Sequence, residues 1–392
     1  MLPIILMEAI IMVYIVVKQP PIYHQMTLEE FLFKTTTVPG VINENLANTR
    51  TYATETVSAN LSRKLNFNID KLINILEEFN NFTEEMRRKP RRSLYYEFYI
   101  PKKSGGLRKI DAPNDDLMFA LRKLKKIFED DFRALYHTSA FAYVKKRSTI
   151  DAVKKHQSNE SKWFAKYDLH NFFGSTTLDF IMKMFSMVYP FSEVVKTDRG
   201  MTALRTALEL AILDGGLPQG TPISPLITNI MMIPIDFKLT NELRDYDRQR
   251  YIYTRYADDF IISSKYNFDH KRIEKYIIDT LNEFGAPFTI NEKKTRYGSS
   301  AGSNWNLGVM LNSNNEITVG YKEKRRFQAM LTSYVLDKRN GNPWDLHDIQ
   351  VLNGLKNYYI MVEGKNIRQL ISHMSEKLGT NIEKSIHEDL KI

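Results

Sequence analysis

Arg255-Tyr256-Ala257-Asp258-Asp259-Phe260 lies between two runs of apolar and β-branched residues, Tyr251-Ile252-Tyr253-Thr254-Arg255 before it and Phe260-Ile261-Ile262-Ser263-Ser264 after it. Both arms have the composition of strands, which predicts a β-hairpin with two carboxylates at its tip. Adjacent anions at a tight turn repel one another, and the arrangement becomes favourable when a hard cation sits on them. An all-oxygen pair suits Mg²⁺. The alternative is a solvated turn, since Asp is common in turns.

A second acidic segment weighs against that alternative. Phe164-Ala165-Lys166-Tyr167-Asp168-Leu169-His170-Asn171-Phe172-Phe173 puts a lone Asp at the end of a short aromatic-rich strand. One carboxylate from a strand and two from a hairpin is what two-metal phosphoryl transfer requires. One ion activates an attacking 3′-hydroxyl and the other stabilises the leaving pyrophosphate. Between the two segments runs Gly215-Gly216-Leu217-Pro218-Gln219-Gly220-Thr221-Pro222-Ile223-Ser224-Pro225. Its glycines admit a close ligand, its prolines stiffen the loop, and Gln219 offers an amide donor and acceptor.

In this order the three segments resemble the reverse transcriptases of the bacterial lineage that includes group II introns, retrons and their relatives. The resemblance extends to Ile100–Ile110 and Ala142–Thr149 (fingers-like), to Asn291-Glu292-Lys293-Lys294-Thr295, and to Asn306-Leu307-Gly308-Val309 (primer-grip-like), covering about residues 65–380. It implies an α+β right-hand polymerase: an N-terminal extension at 1–64, fingers at 65–160, a palm of antiparallel sheet and helices at 161–318, and a helical thumb at 319–392. It also implies residue roles. Asp168 and Asp258 would ligate two Mg²⁺ ions, with the Leu169 carbonyl a further ligand and Asp259 assisting at the primer-end metal. Phe173 matches the family's aromatic steric gate against the ribose 2′-hydroxyl, while alternation sends one of Phe172 and Phe173 into the core. Gln219 and Gly220 would line the nucleotide pocket. Lys103 and Arg108 would hold the triphosphate, Arg as a planar fork and Lys as a point charge. Lys294 would neutralise or protonate pyrophosphate, or else be a solvated loop lysine.

Composition agrees with a polyanionic partner. The net charge is +9, and residues 87–110 hold nine Lys or Arg against the single acid Glu97. The aromatics among them, Tyr95, Tyr96, Phe98 and Tyr99, either stack on bases or pack beneath a solvated basic face. The chain has no cysteine, which excludes disulfides, thiol nucleophiles and zinc ribbons. Its eight His show no metal-ligand spacing. Met1–Val17 is apolar but interrupted by Glu8 and lacks a basic leader, so no membrane association is expected and a cytoplasmic home fits.

Helical spacing appears in Ile69/Leu72/Ile73/Leu76/Phe79 and in Leu121/Leu124/Ile127/Phe128. Three more helical patterns follow the hairpin: Phe327/Met330/Leu331/Tyr334, Ile349/Leu352/Leu355/Tyr359 and Ile367/Leu370/Ile371/Met374/Leu378. Two strings depart from the retron pattern, Asp151-Ala152-Val153-Lys154-Lys155-His156 and Asn306-Leu307-Gly308. The expectation is a compact stand-alone enzyme that extends a DNA or RNA primer with dNTPs on an RNA template. A cognate non-coding RNA and a place in a retroelement or antiphage defence system fit the kinship. Two alternatives remain: an untemplated or protein-primed polymerase of abortive-infection type, and a non-catalytic, maturase-like RNA-binding scaffold.

Overall fold

The structure is a computed structural model describing residues 67–102, 105–300 and 308–391. The expected N-terminal extension, the Met1–Val17 run, Lys103 and Asn306-Leu307 lie outside the described residues. The fold is α+β with antiparallel sheets, as the sequence indicated. The chain forms two compact units, each built from discontinuous segments.

Of the described residues, the first unit takes 67–102, 105–143, 169–239 and 277–289. Its first described helix, Ile69–Phe82, starts where the Asn68 side chain accepts a hydrogen bond from the Lys71 amide and buries Leu72, Ile73, Leu76 and Phe79. Strands β1 (Tyr95–Pro101) and β2 (Leu107–Pro113) pair antiparallel, Tyr99 opposite Lys109. Gly105 and Gly106 turn between them at φ of 85° and 80°, a conformation L side chains rarely adopt. The following helix, Asp115–Lys126, is capped by Asn114 and buries Leu117, Leu121 and Leu124. Phe128, Phe132, Phe185 and Phe191 pack at centroid separations of 4.6–6.2 Å and form an aromatic core.

Of the described residues, the second unit takes 144–168, 240–276, 290–300 and 308–391. Its four-stranded sheet comprises β3 (Trp163–Asp168), β4 (Tyr251–Tyr256), β5 (Asp259–Ser264) and β6 (Arg296–Ser299), in the order β4-β5-β3-β6. The helix Thr149–Ser158, opened by a Ser148/Asp151 capping box, packs on β4. Val153, Phe164, Ile261, Val309 and Leu311 form the core between this helix and the sheet. Two short strands, β7 (Met310–Leu311) and β8 (Ile317–Thr318), lead into the C-terminal helices.

Those helices are Tyr321–Arg339, Leu346–Leu378 and Ile382–Asp389, closed around Phe327, Leu331, Tyr334, Ile349, Leu352, Tyr359, Ile367 and Ile371. The second and third apolar patterns of the sequence fall in one long helix, and Ile382–Asp389 carries no pattern that announced it. The long helix breaks at Glu363, whose φ of −128° leaves the helical region. A buried carboxylate explains why the break is held. Glu363 Oε1 accepts from Thr318 Oγ1 and the Val319 amide, both at 2.7 Å, and Oε2 pairs with Lys324 Nζ at 2.6 Å. Glu363→Ala strands a buried amide and an ammonium, and is expected to cost about 3 kcal/mol in urea unfolding. Among the described residues no helix is long and apolar enough to cross a membrane.

Candidate active site

Alternation and register bring the carboxylates together in the second unit. Asp168 ends β3 directly opposite Asp259, the first residue of β5, so both point to the same face of the sheet. Tyr256 pairs with Asp259, which leaves Ala257 and Asp258 as a two-residue turn, and Ala257 takes φ 56°. Arg255, fully buried on β4, donates from Nη1 to the Ala257 carbonyl at 3.2 Å. That bond braces the strained turn from beneath.

Two lysines sit among the three carboxylates. Lys166 is two residues before Asp168 and therefore on its face; its Nζ lies 2.7 Å from Asp259 Oδ2. Lys294 enters on the turn Glu292–Lys294, which is tied to the strand by the Asn291 amide donating to the Asp168 carbonyl at 2.7 Å. Its Nζ lies 2.9 Å from Asp168 Oδ1 and donates a hydrogen bond to Oδ2 at 3.1 Å. Burial pushes the Asp258 carboxyl up to about 6, and the negative charges of Asp259 and Asp168 add to the rise. Burial also raises Asp259, against the opposing pull of Lys166. The hydrogen bond to Asp168 raises the Lys294 ammonium. Among the described residues no three carboxylate or imidazole groups form a ready-made metal cage. The donor chemistry nonetheless fits a hard cation: the anions are all oxygen, they crowd one another, and ammonium groups stand where positive charge is needed.

The loop residues belong to the first unit. Phe172 is buried against Phe288, with centroids 4.9 Å apart, while Phe173 on the same short turn is partly exposed. The Phe173 carbonyl accepts from the Leu217 amide at 3.0 Å. Gly216 presses on the Gly174 backbone so closely that a Cβ would overlap the Gly174 carbonyl. Gly216→Ala must therefore move backbone, and is expected to cost about 2–3 kcal/mol in thermal unfolding. The Gln219 carbonyl accepts from the Asp111 amide on β2 at 2.9 Å. Gly220 has φ 122° and lies against the Asp111 carbonyl and Ile110. Ser224 Oγ donates to the Pro218 carbonyl at 3.0 Å and stiffens the loop.

Sequence-derived residues are thus distributed over both units. Asp168, Asp258, Asp259 and Lys294 are drawn together in the second; Phe173, Gln219 and Gly220 belong to one loop system in the first. Leu169, buried, also belongs to the first unit, and Arg108 is exposed on β2. Part of the basic run is bound internally. Arg87 donates to Thr83 and the Asn80 carbonyl, Arg88 pairs with Glu84, and Arg92 joins Asp111 to Asp214. Lys166 and Arg255 went unassigned in the sequence, although both lie inside the quoted segments. The signal for Lys166 was its two-residue offset from Asp168.

The model of the reverse transcriptase (RNA-dependent DNA polymerase) family matches residues 100–325, and the chain belongs to that family. It is an RNA-directed DNA polymerase of bacterial, retron-like type. The retron Ec73 reverse transcriptase of Escherichia coli is 31% identical over 233 residues, 56% of this chain and 69% of that protein. The retron Ec83 reverse transcriptase of the same species is 29% identical over 308 residues, 76% of this chain and 91% of that protein. The retron Mx65 enzyme of Myxococcus xanthus is 27% identical over 246 residues, 60% of this chain and 55% of that protein. Two short strings had set the chain apart from retron enzymes; the likeness to them nevertheless runs through most of its length. Telomerase from Candida tropicalis superposes with a TM-score of 0.44 at 12% identity, over 72% of this chain and 59% of that one.

Proposed function

We propose that Asp168 and Asp258 bind two Mg²⁺ ions, with the Leu169 carbonyl as a further ligand and Asp259 assisting. The observation that carries this reading is the register that sets Asp168 opposite Asp259 with Asp258 in the adjoining turn. Like charges directly opposite on a sheet are unfavourable unless something positive joins them. Mg²⁺ held there would favour the ionised primer 3′-hydroxyl and offset charge on the leaving pyrophosphate. In this proposal Asp168 and Asp258 orient and anchor the ions, and Lys294, which pairs with Asp168, would accompany pyrophosphate. Gln219 and Gly220 would stand beside the base and sugar, Arg108 and Lys103 on the triphosphate, and Phe173 against C2′. Phe173→Ala is expected to raise ribonucleotide incorporation roughly 10- to 100-fold relative to dNTPs, measured by single-nucleotide extension with matched substrates.

The N-terminal extension, fingers, palm and thumb retain the bounds 1–64, 65–160, 161–318 and 319–392 in this proposal. Template RNA, a DNA or RNA primer and a cognate non-coding RNA are the proposed partners, supported by similarity to retron enzymes. A cytoplasmic retroelement or antiphage defence system is the proposed setting. The test is primer extension on a defined RNA template with dNTPs and Mg²⁺, beside the Asp258→Ala/Asp259→Ala protein. Template-complementary DNA from the wild type alone is expected. Product unrelated to template would favour the untemplated or protein-primed reading, and RNA binding without product the scaffold.

A further inference from the structure

We propose that Lys166 is a positioning residue that competes with the metal for Asp259 and so sets the Mg²⁺ concentration at which the site fills. The inference rests on the metal site proposed above. Its basis is the geometry of one face of the sheet. Lys166 and Asp168 are two apart on β3 and share that face; Asp168 faces Asp259 across the ladder, and Lys166 faces Ile261. Lys166 is therefore on the diagonal from Asp259, within reach of a long side chain, and its Nζ closes to 2.7 Å of Oδ2.

The two lysines of the site differ in how easily they yield. The Lys294 side chain is 58% exposed and rides on a short turn, so its ammonium can withdraw into solvent. The Lys166 side chain is 28% exposed and rises from an inner strand paired on both edges, with β5 and β6. Its backbone cannot move aside. A cation arriving at the carboxylates meets an ammonium held against Asp259 by the sheet and must displace it or share the carboxylate with it. Removing that ammonium leaves the same three carboxylates with one positive neighbour fewer, which favours a divalent cation.

The experiment is calorimetric titration of Mg²⁺ into the nucleic-acid-free protein at fixed ionic strength, using wild type, Lys166→Met, Lys166→Arg, Asp259→Asn and Lys166→Met/Asp259→Asn. Thermal melts confirm that each variant is folded. Lys166→Met is expected to tighten Mg²⁺ binding roughly 5- to 30-fold. Lys166→Arg, which keeps the charge, should stay within about threefold of wild type. In the Asp259→Asn background Lys166→Met should have little further effect, because the two side chains act through one contact. Unchanged or weaker binding by Lys166→Met would overturn the proposal, as would equal tightening with and without Asp259. Asp258→Asn separates the two levels of inference. If it binds Mg²⁺ as wild type does, the metal site itself is wrong and the role of Lys166 falls with it. A purely structural lysine would lower the melting temperature and leave the Mg²⁺ affinity alone.

Discussion

Asp258→Asn is expected to reduce primer extension by roughly 10³-fold or more while making the protein harder to unfold. The loss follows from the chemistry. Phosphoryl transfer demands little covalent work of a protein and much placement of charge, so with Asp258 anchoring the ions as proposed, its removal would forfeit most of the acceleration. The stability gain follows from the environment. Asp258 is partly buried beside Asp259 and Asp168, and its carboxyl is raised to about 6. The folded state therefore binds this proton more tightly than the unfolded chain. Above pH about 6 the deprotonated group costs stability, and the cost disappears as pH falls toward the ordinary Asp value. At neutral pH it amounts to about 1–3 kcal/mol, which Asn removes. Urea unfolding at pH 7.5 without divalent cations measures the gain. Added Mg²⁺ should raise the melting temperature of the wild type and not of Asp258→Asn. A destabilised variant, or one that keeps its activity, would contradict this account of the turn.

Acid should destabilise the second unit through His156. The ring is fully buried, with Nδ1 2.6 Å from Ser263 Oγ and Nε2 2.8 Å from Thr254 Oγ1. Ser263 Oγ donates onward to Ser161 at 2.8 Å, so the ring gives its proton to Ser263 at Nδ1 and accepts from Thr254 at Nε2. Burial lowers the imidazole to about 3. Its folded value lies below the unfolded one, so the unfolded state binds the extra proton. Stability is complete above about 6.5 and is lost as pH falls below it. By pH about 4 the loss is expected to reach ~3 kcal/mol. His156→Gln keeps a donor and an acceptor without titrating. It is expected to be about 1–2 kcal/mol less stable at pH 7.5, with a shallower decline between pH 6.5 and 4 in urea unfolding at a series of pH values. The opposite slope from Asp258 makes the variant comparison decisive, since a profile of wild type alone contains both.

The sequence by itself determined the family and the local structure of the segments that carry the candidate carboxylates. The doublet Asp258-Asp259 between two β-branched arms reads as a hairpin tip, and Asp168 as the end of a short aromatic-rich strand. The glycines and prolines from Gly215 to Pro225 announced a stiff loop, and the helical patterns stood out because apolar side chains recur at the helical period. Each of these is a short-range property, written within a dozen residues.

Tertiary structure decided what depends on register and on contacts between distant segments. The two-residue offset puts Lys166 on the face of Asp168, but only the pairing that sets Asp168 opposite Asp259 brings its ammonium diagonally onto the Asp259 carboxylate. The run from Arg87 to Arg92 looks wholly available to a polyanion until Arg92 is found joining Asp111 to Asp214. Gly216 matters because of Gly174, and the break at Glu363 because of Thr318, Val319 and Lys324. His156 was one of eight scattered histidines; only the packing of its helix on β4 and β5 buries it against two hydroxyls. The sequence names the candidate carboxylates because their identity is chemical, whereas their neighbours are chosen by the folded chain because proximity is geometric.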